Sequence, residues 1–222
     1  MEKMEIRNAA TVILLRGSKK NPHVLMGQRG QNASFMPNKF VFPGGALDQG
    51  DSEINFNGDI PLKCLNQLRV KADPALAKPL IAAGIRELWE ETGLILGSKF
   101  ENKINLIPEN WKGFFASGYQ PNADNIEFVF RAITPPGRSR RFDARFFLLS
   151  SHNIKGDLDD FSKASGELSH LQWIELNSAH NLDLPFVTEI VLSEVISKLK
   201  GSRNDGIPFY YHESGTSHFQ RL

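Results

Sequence analysis

Three glutamates within one short stretch are the residues of this sequence best suited to chemistry. The stretch reads Arg86-Glu87-Leu88-Trp89-Glu90-Glu91-Thr92-Gly93. On a helix, Glu87 precedes Glu90 by three residues and Glu91 by four, so the three carboxylates share one narrow face. Like charges at this spacing destabilise a helix by roughly 0.2–0.5 kcal/mol per pair. A divalent cation would offset that repulsion, and clustered oxygen ligands suit Mg²⁺ or Mn²⁺, which also bind substrate phosphates.

The alternative is a solvated acidic helix face on which Arg86 pairs with Glu90 at i, i+4. The residues before the helix favour a functional site instead. Phe42-Pro43-Gly44-Gly45 closes a predicted strand, and glycine allows the backbone to approach a ligand or metal closely. We therefore interpret the acidic stretch together with Gly45 as a candidate metal site.

The elements that must position these residues are strands interleaved with helices. Apolar runs predict strands at 9–15 and 24–26, joined as a hairpin, with others at 40–42, 126–133, 142–149 and 171–176. Helices are predicted near 62–70, from Pro79 to a stop at Thr92-Gly93, and over 187–199. No periodicity is visible beyond Gly201. The irregular order predicts a mixed-sheet α/β or α+β fold, with 1–222 as a single domain because no linker divides the chain.

The composition narrows the class of protein. The chain has 222 residues, with 26 Lys+Arg against 25 Asp+Glu and a formal charge of +1. This balance gives no global attraction to nucleic acid or to an anionic membrane, so we predict neither as a partner. One cysteine cannot form an intramolecular disulfide, and the apolar run at 9–15 is far shorter than the roughly 20 residues of a membrane span. We therefore expect a soluble, intracellular protein.

Together these motifs closely resemble the Nudix box. In that family a Gly, five spacers, a Glu and seven further spacers precede Arg-Glu-(apolar)-x-Glu-Glu-x-Gly-(apolar). Here Gly45 and five spacers lead to Asp51 instead of Glu, and about 27 residues are inserted before Arg86. The resemblance implies a Nudix-like α/β/α sandwich with a mixed sheet, carrying an insertion at about 52–79.

The departures from the box resemble one branch of the family, the peroxisomal acyl-CoA diphosphatases. The resemblance rests on segments before and after the box, which read Phe35-Met36-Pro37, Val41-Phe42-Pro43-Gly44-Gly45-Ala46-Leu47-Asp48, Thr134-Pro135 and Arg140-Arg141-Phe142-Asp143-x-Arg145-Phe146-Phe147-Leu148. The signature typical of the other CoA-cleaving Nudix group is met in part, by Leu25 and Arg29. The likeness covers about residues 7–199.

The resemblance also implies roles for individual residues. Metal ligands would be the carboxylates of Glu87, Glu90 and Glu91 and the carbonyl of Gly45, holding Mg²⁺ or Mn²⁺. Arg86 would orient a glutamate rather than touch the substrate. The general base would come from the box, where Glu90 is a candidate, or from a later loop, where Glu167 is a candidate beside the alternative of an ordinary loop acid.

A basic cluster, Arg138, Arg140, Arg141 and Arg145, is the second candidate feature. Guanidinium groups bind phosphates bidentately, so Arg141, Arg145 and Arg29 are candidate substrate-binding residues. The alternative is that the first two are solvated loop residues and the others pair with Asp143 in a strand. Other templates fail, since Asp51 replaces the lysine of a phosphate loop and no G-x-S-x-G or H-E-x-x-H motif occurs.

These observations predict a metal-dependent hydrolase of a nucleoside-diphosphate derivative, foremost CoA or acyl-CoA. ADP-ribose or a nucleotide-sugar is the alternative substrate, and an inactive nucleotide-binding regulatory module is the alternative from another class. The last four residues are not a Ser-Lys-Leu signal, so a cytoplasmic location is expected. A homodimer is one option, since the insertion could serve as a lid, a substrate wall or a dimer contact.

Overall fold

A computed structural model describes residues 5–33, 35–99, 106–202 and 205–222, and the secondary structure follows from it. The strands are β1 (Ile6–Ser18), β2 (Asn21–Arg29), β3 (Phe40–Val41), β4 (Gly44–Ala46), β5 (Ile95–Lys99), β6 (Tyr119–Pro121), β7 (Glu127–Ile133), β8 (Arg141–Ser150), β9 (Ile154–Lys155), β10 (Leu168–Glu175), β11 (Pro208–Glu213) and β12 (Thr216–Arg221). The helices are α1 (Leu62–Leu68), α2 (Ala77–Thr92), α3 (Lys112–Ala116) and α4 (Phe186–Leu199), with short 3-10 turns between some elements.

A mixed sheet forms the centre of the fold. Its main path runs β10-β2-β1-β8-β7-β11-β12, and β3 and β4 pair with β2 and β1 respectively. The β1–β8 and β7–β11 pairs are parallel, and the other pairs of this sheet are antiparallel. Strands β6, β5 and β9 make a smaller sheet. The predicted α/β, mixed-sheet fold class is confirmed.

Two apolar cores occupy opposite faces of the main sheet, because successive side chains of a strand point to opposite sides. Ala10, Val12 and Leu14 of β1 face the core that includes α1 and α2. Ile13, between them, faces the core that includes α4. This layering is the expected α/β/α sandwich.

Most predicted elements are present, and the structure adds elements that were not predicted, namely β4, β5, α3, β6, β9 and the β11–β12 hairpin. The β1–β2 hairpin forms with Leu15 opposite Val24, and α1, α2 and α4 lie where helices were predicted. The strand β5 was missed because its short apolar start follows the helix stop directly. The tail, where no periodicity was visible, forms the β11–β12 hairpin. Aromatic residues occupy consecutive positions of β11 and therefore point to both faces of the sheet. The alternation of apolar and polar residues that usually marks a strand is absent for this reason.

Two further observations concern the chain as a whole. Within the described ranges, no helix has both the length and the apolarity needed to cross a bilayer. Cys64 of α1 is the chain's one cysteine, and its side chain is buried. Burial raises the pKa of its thiol to about 11, so this thiol is unreactive at neutral pH.

Candidate active site

The second half of α2 carries the acidic stretch and lies against β1 and β4. Helix α2 ends at Thr92, and Gly93 follows in the left-handed conformation at φ 77° with its N–H donating to Trp89 O. Glycine adopts this conformation without steric cost, which explains the sharp stop. The helix is buried on nearly all sides, and Glu91 is only 3% exposed. The alternative of a solvated acidic face does not fit this burial.

Arg86 is fixed at the centre of the site by all five of its N–H donors. Its Nε and Nη2 donate to the two carboxylate oxygens of Asp51 at 2.9 and 3.0 Å. Its Nη1 donates to Glu87 Oε1 and Glu90 Oε2, both at 2.9 Å, and Nη2 also reaches Ala46 O at 2.9 Å. A guanidinium has five donors, so Arg86 has none left for a substrate.

Asp51 is equally saturated, and it is buried. Its Oδ1 accepts from Arg86 Nε and from Trp111 Nε1, each at 2.9 Å. Its Oδ2 accepts from Arg86 Nη2 at 3.0 Å and from the Asp48 N–H at 2.8 Å. Four hydrogen bonds use the acceptor capacity of a carboxylate. Asp51 therefore anchors Arg86 and has no oxygen free for a metal ion.

The two glycines before the inserted segment touch the acids of α2. The Gly44 N–H donates to Glu91 Oε2 at 2.8 Å. A Cβ placed on Gly45 would collide with the Glu87 carboxylate. Backbone and carboxylate therefore approach each other closely here, so the Phe-Pro-Gly-Gly segment and the helix form one compact site.

The acids of α2 resist ionisation in this setting. Burial, followed by repulsion from Glu90, raises the pKa of Glu87 to about 7, against the pull of Arg86. Burial and repulsion from Glu87 raise the pKa of Glu91 to about 8. The pKa of Glu90 is also raised, mainly by burial. Burial by itself would lower the pKa of Arg86. The neighbouring carboxylates of Asp51, Glu87 and Glu90 have the larger effect, and they raise this pKa. One guanidinium is therefore too little positive charge for these acids.

The donor set fits a divalent cation. Each of the three glutamates commits one oxygen, to Arg86 or to Gly44, and within the described ranges the second oxygen of each accepts no hydrogen bond. Among the described residues, no group of three or more His, Cys, Asp or Glu side chains is arranged so that it could hold a metal ion by itself. Mg²⁺ does not require such a group, because it is usually bound by one or two carboxylates together with waters and substrate phosphates.

Glu167 and Arg29 lie close enough to act on the acids of α2. Glu167 is exposed just before β10, and its charge contributes to the raised pKa values of Glu87, Glu90 and Glu91. Arg29, at the end of β2, pairs in register with Leu168, and its charge acts to lower the pKa of Glu91. Its Nε is buried and has no hydrogen-bond partner in the described part of the chain. The fold thus brings Glu167 and Arg29 to the acidic site.

The basic cluster divides between surface and interior. Arg138 and Arg140 are exposed, and the half-buried Arg141 donates from Nε to Thr134 O at 2.9 Å. Arg145 is 2% exposed and donates from Nη1 to Asn8 Oδ1 and to Asp143 O, both at 2.7 Å. A substrate-binding role for Arg145 does not fit this placement, because its guanidinium is buried and engaged. The alternative, an ion pair with Asp143 within a strand, is what the structure shows: Arg145 Nη1 lies 3.1 Å from Asp143 Oδ2.

Trp111 completes the site, and no motif in the sequence predicted its role. It lies in a 3-10 turn before α3, sixty positions after the carboxylate that it contacts, and its ring is fully buried. A single tryptophan in a polar segment belongs to no pattern from which a contact with such a distant residue could be predicted. The pairing of Asp51 with Arg86 was also unpredicted.

The architecture is shared with a solved structure. A NUDIX hydrolase from Alicyclobacillus acidocaldarius superposes with a TM-score of 0.64 over 87% of this chain and 92% of that one, at 24% sequence identity. At this identity the likeness establishes the fold.

The sequence itself is similar to a curated protein. The match is to a Caenorhabditis elegans protein that bears the name nudix hydrolase 7, at 31% identity over an alignment of 181 residues that covers 76% of this chain and 51% of the relative. The chain thus spans about half the length of this relative. No protein-family model matches the chain.

Proposed function

We propose that this chain, whose fold and curated relative support its assignment to the Nudix hydrolase superfamily, hydrolyses the diphosphate of a nucleoside-diphosphate derivative in the presence of Mg²⁺ or Mn²⁺. One observation carries the proposal. The buried Glu91 and the half-buried Glu87 and Glu90 present one uncommitted oxygen each; Glu87 lies against Gly45, and Glu87 and Glu90 share a single fully committed arginine. Such a surplus of negative charge attracts a divalent cation, which can in turn bind the oxygens of a diphosphate.

The reaction adds water across one phosphoanhydride bond. The water oxygen bonds to phosphorus, the bridging P–O bond breaks, and two phosphate monoesters leave. A bound Mg²⁺ or Mn²⁺ would supply charge neutralisation and a lower pKa for the attacking water. Glu87, Glu90 and Glu91 would hold it, together with the Gly45 carbonyl. Arg86 fixes two of these carboxylates and does not touch substrate.

Glu167 is the proposed acceptor of the water proton. It is exposed to solvent, and its charge helps to raise the pKa of all three acids of α2. The loop that carries it is tied to α2, because the Ser165 N–H donates to Glu90 O at 2.7 Å. A carboxylate within reach of the attacking water typically contributes about 10²–10⁴-fold to the rate. Glu90 is the other candidate for the base, although it is already bound to Arg86.

CoA or acyl-CoA is the proposed substrate, cleaved to adenosine 3′,5′-bisphosphate and a 4′-phosphopantetheine product. Two segments that resemble the acyl-CoA branch contact each other, since the rings of Phe35 and Phe142 pack edge to face at 5.5 Å. Phe142 follows Arg141, and the half-buried Arg141 and Arg29 remain the proposed phosphate contacts. A small-molecule nucleotide is therefore the proposed partner. The predictions of a homodimer and a cytoplasmic location stay predictions.

A substrate panel tests the proposal. The purified chain is incubated with Mg²⁺ or Mn²⁺ and CoA, an acyl-CoA, ADP-ribose, NADH or a diadenosine polyphosphate, and products are followed by phosphorus NMR and chromatography. We expect turnover that stops on chelation of the metal, with CoA or acyl-CoA giving the highest kcat/KM. A preference for ADP-ribose would overturn the substrate assignment. Tight nucleotide binding without turnover on any compound would overturn the enzymatic function in favour of a binding module.

A further inference from the structure

Trp111 makes a directed contact with the anchor of the acidic site. Its indole is fully buried, and Nε1 donates to Asp51 Oδ1 at 2.9 Å. The same oxygen accepts from Arg86 Nε at 2.9 Å. The hydrogen bonds therefore run without a break from Trp111 through Asp51 and Arg86 to the carboxylates of Glu87 and Glu90.

The segment that carries Trp111 is held in place by contacts independent of this hydrogen bond. The Trp111 ring packs against Phe114 and Phe115 at centroid distances of 5.3 and 6.2 Å. Phe114 in turn packs on Trp89 of α2 at 6.1 Å, and a Cβ on Gly113 would collide with the Trp89 ring. Aromatic contacts thus hold α3 against α2. The indole N–H adds a polar contact that this packing does not require.

We propose that Trp111 is a positioning residue for the acidic site, an inference that rests on the proposed function. The position of Asp51 decides where Arg86 directs its Nη1 donors. Without the indole N–H, one of the four hydrogen bonds to this buried carboxylate is lost, and the Arg86–Asp51 pair can shift. Glu87 and Glu90 would then be held less firmly. Supporting contacts of this kind typically contribute about 10–100-fold to activity or metal affinity.

The test is Trp111→Phe, which keeps an aromatic ring and removes the N–H. We expect kcat to fall about tenfold, with KM for the nucleotide little changed, and the affinity for Mn²⁺ measured by calorimetry to fall by a similar factor. The matched control is Trp173→Phe. Trp173 is half-buried and donates from Nε1 to the backbone oxygen of Leu158 at 3.0 Å, so its N–H does not bond to the acidic site. This control should leave both kcat and the Mn²⁺ affinity at wild-type values.

Further variants separate positioning from packing. Phe114→Leu disturbs the aromatic contacts and keeps the indole N–H. If it lowers kcat as much as Trp111→Phe at an equal loss of melting temperature, the positioning role is overturned. Should Trp111→Phe not fold, incorporation of 3-benzothienylalanine at position 111 keeps the bicyclic shape and lacks the N–H. Wild-type kcat and Mn²⁺ affinity in a folded variant of either kind would equally overturn the role.

Failure of the proposed function gives a different result. In that case the wild-type chain itself shows no turnover on any compound of the panel. The Mn²⁺ affinities of wild type and variant still decide the positioning role, because they are measured without substrate. A wild-type chain that neither turns over substrate nor binds Mn²⁺ overturns both.

Discussion

Two buried ionic clusters in this protein are built from similar residues and differ in their balance of charge. The acidic site combines Arg86 with Asp51 and the three glutamates of α2, so one positive charge faces up to four negative ones. The arginine cluster, defined here as Arg131, Asp143 and Arg145, has two positive charges and one negative.

The charged groups of the arginine cluster contact other residues of the protein interior. Arg131 binds both carboxylate oxygens of Asp143, at 2.9 and 2.7 Å, and its guanidinium lies 4.6 Å from the centre of the Phe209 ring. Burial lowers the pKa of Arg145 to about 10, and Asp143 only partly compensates. The cluster ties β7, β8 and β11 together. Buried charge alone therefore does not mark a functional site. Uncommitted oxygens beside a surplus of charge do.

The largest expected effect is on turnover and comes from Glu91→Gln. The amide keeps an oxygen for the Gly44 N–H and removes the charge proposed to bind metal. We expect kcat to fall by more than about 100-fold, the upper range for residues that merely support a ligand. The metal-free variant should be no less stable than wild type, because a repelled carboxyl is gone. Steady-state kinetics and thermal unfolding measure both. Full activity in the variant would show that the metal assignment is wrong.

The next effect is on stability and comes from Asp143→Ala in the arginine cluster. Removing this carboxylate leaves two buried guanidinium groups without their counter-charge, which costs about 3–5 kcal/mol of the free energy of unfolding. Urea unfolding measures the loss. The activity per folded molecule should stay near that of wild type. A stable variant with lost turnover would show that the cluster serves the reaction, and the contrast between the two clusters would break down.

Asn8→Ala tests whether the two clusters are independent. Asn8 Oδ1 accepts from Arg145 Nη1 at 2.7 Å, while its backbone carbonyl accepts from the Leu47 N–H at 2.9 Å, next to β4. The substitution removes only the first bond and should cost about 1.5–3 kcal/mol, the range for a hydrogen bond to a charged group. Unfolding and kcat are measured in parallel. A drop in kcat beyond the loss of folded protein would indicate coupling through β1.

The smallest expected effect is a pH dependence of stability without metal. Glu87 and Glu91 have pKa values raised to about 7 and about 8, from 4.5. The folded state then binds more protons than the unfolded state between pH 4.5 and pH 8, so the free energy of unfolding falls as pH rises through this window. We expect a loss of about 1 kcal/mol, less than the roughly 1.4 kcal/mol per pKa unit would give for shifts of this size, because water and side-chain movement relieve most of the cost of charging these groups.

Added Mg²⁺ and the Glu91→Gln variant test whether the acids of α2 cause this pH dependence. Mg²⁺ should stabilise the protein more at pH 8.5 than at pH 6, because it competes with protons for the same oxygens. Glu91→Gln should reduce the pH dependence, and the control Glu175→Gln, at an exposed residue at the end of β10, should not. Melting curves at both pH values measure it. Equal stability of metal-free wild type at the two pH values would contradict the raised pKa values.

The sequence was sufficient for the local parts of this structure. The spacing of Glu87, Glu90 and Glu91 fixed them on one helix, and Gly93 marked where that helix ends, because both depend on contacts within a few residues. The burial of Arg145 and the contact of Trp111 with Asp51 were out of reach, since they depend on which strands and loops become neighbours. The assignment of Arg145 to substrate failed for this reason: its charge was visible, but not the strand that buries it.

The single buried cysteine has a practical consequence. Cys64 is 2% exposed, and burial raises the pKa of its thiol to about 11, so maleimide dyes should leave it untouched at neutral pH. A cysteine introduced at an exposed position, such as Ser202→Cys after α4, would then be the one reactive handle on the molecule. A fluorophore could be attached there without first removing the natural thiol.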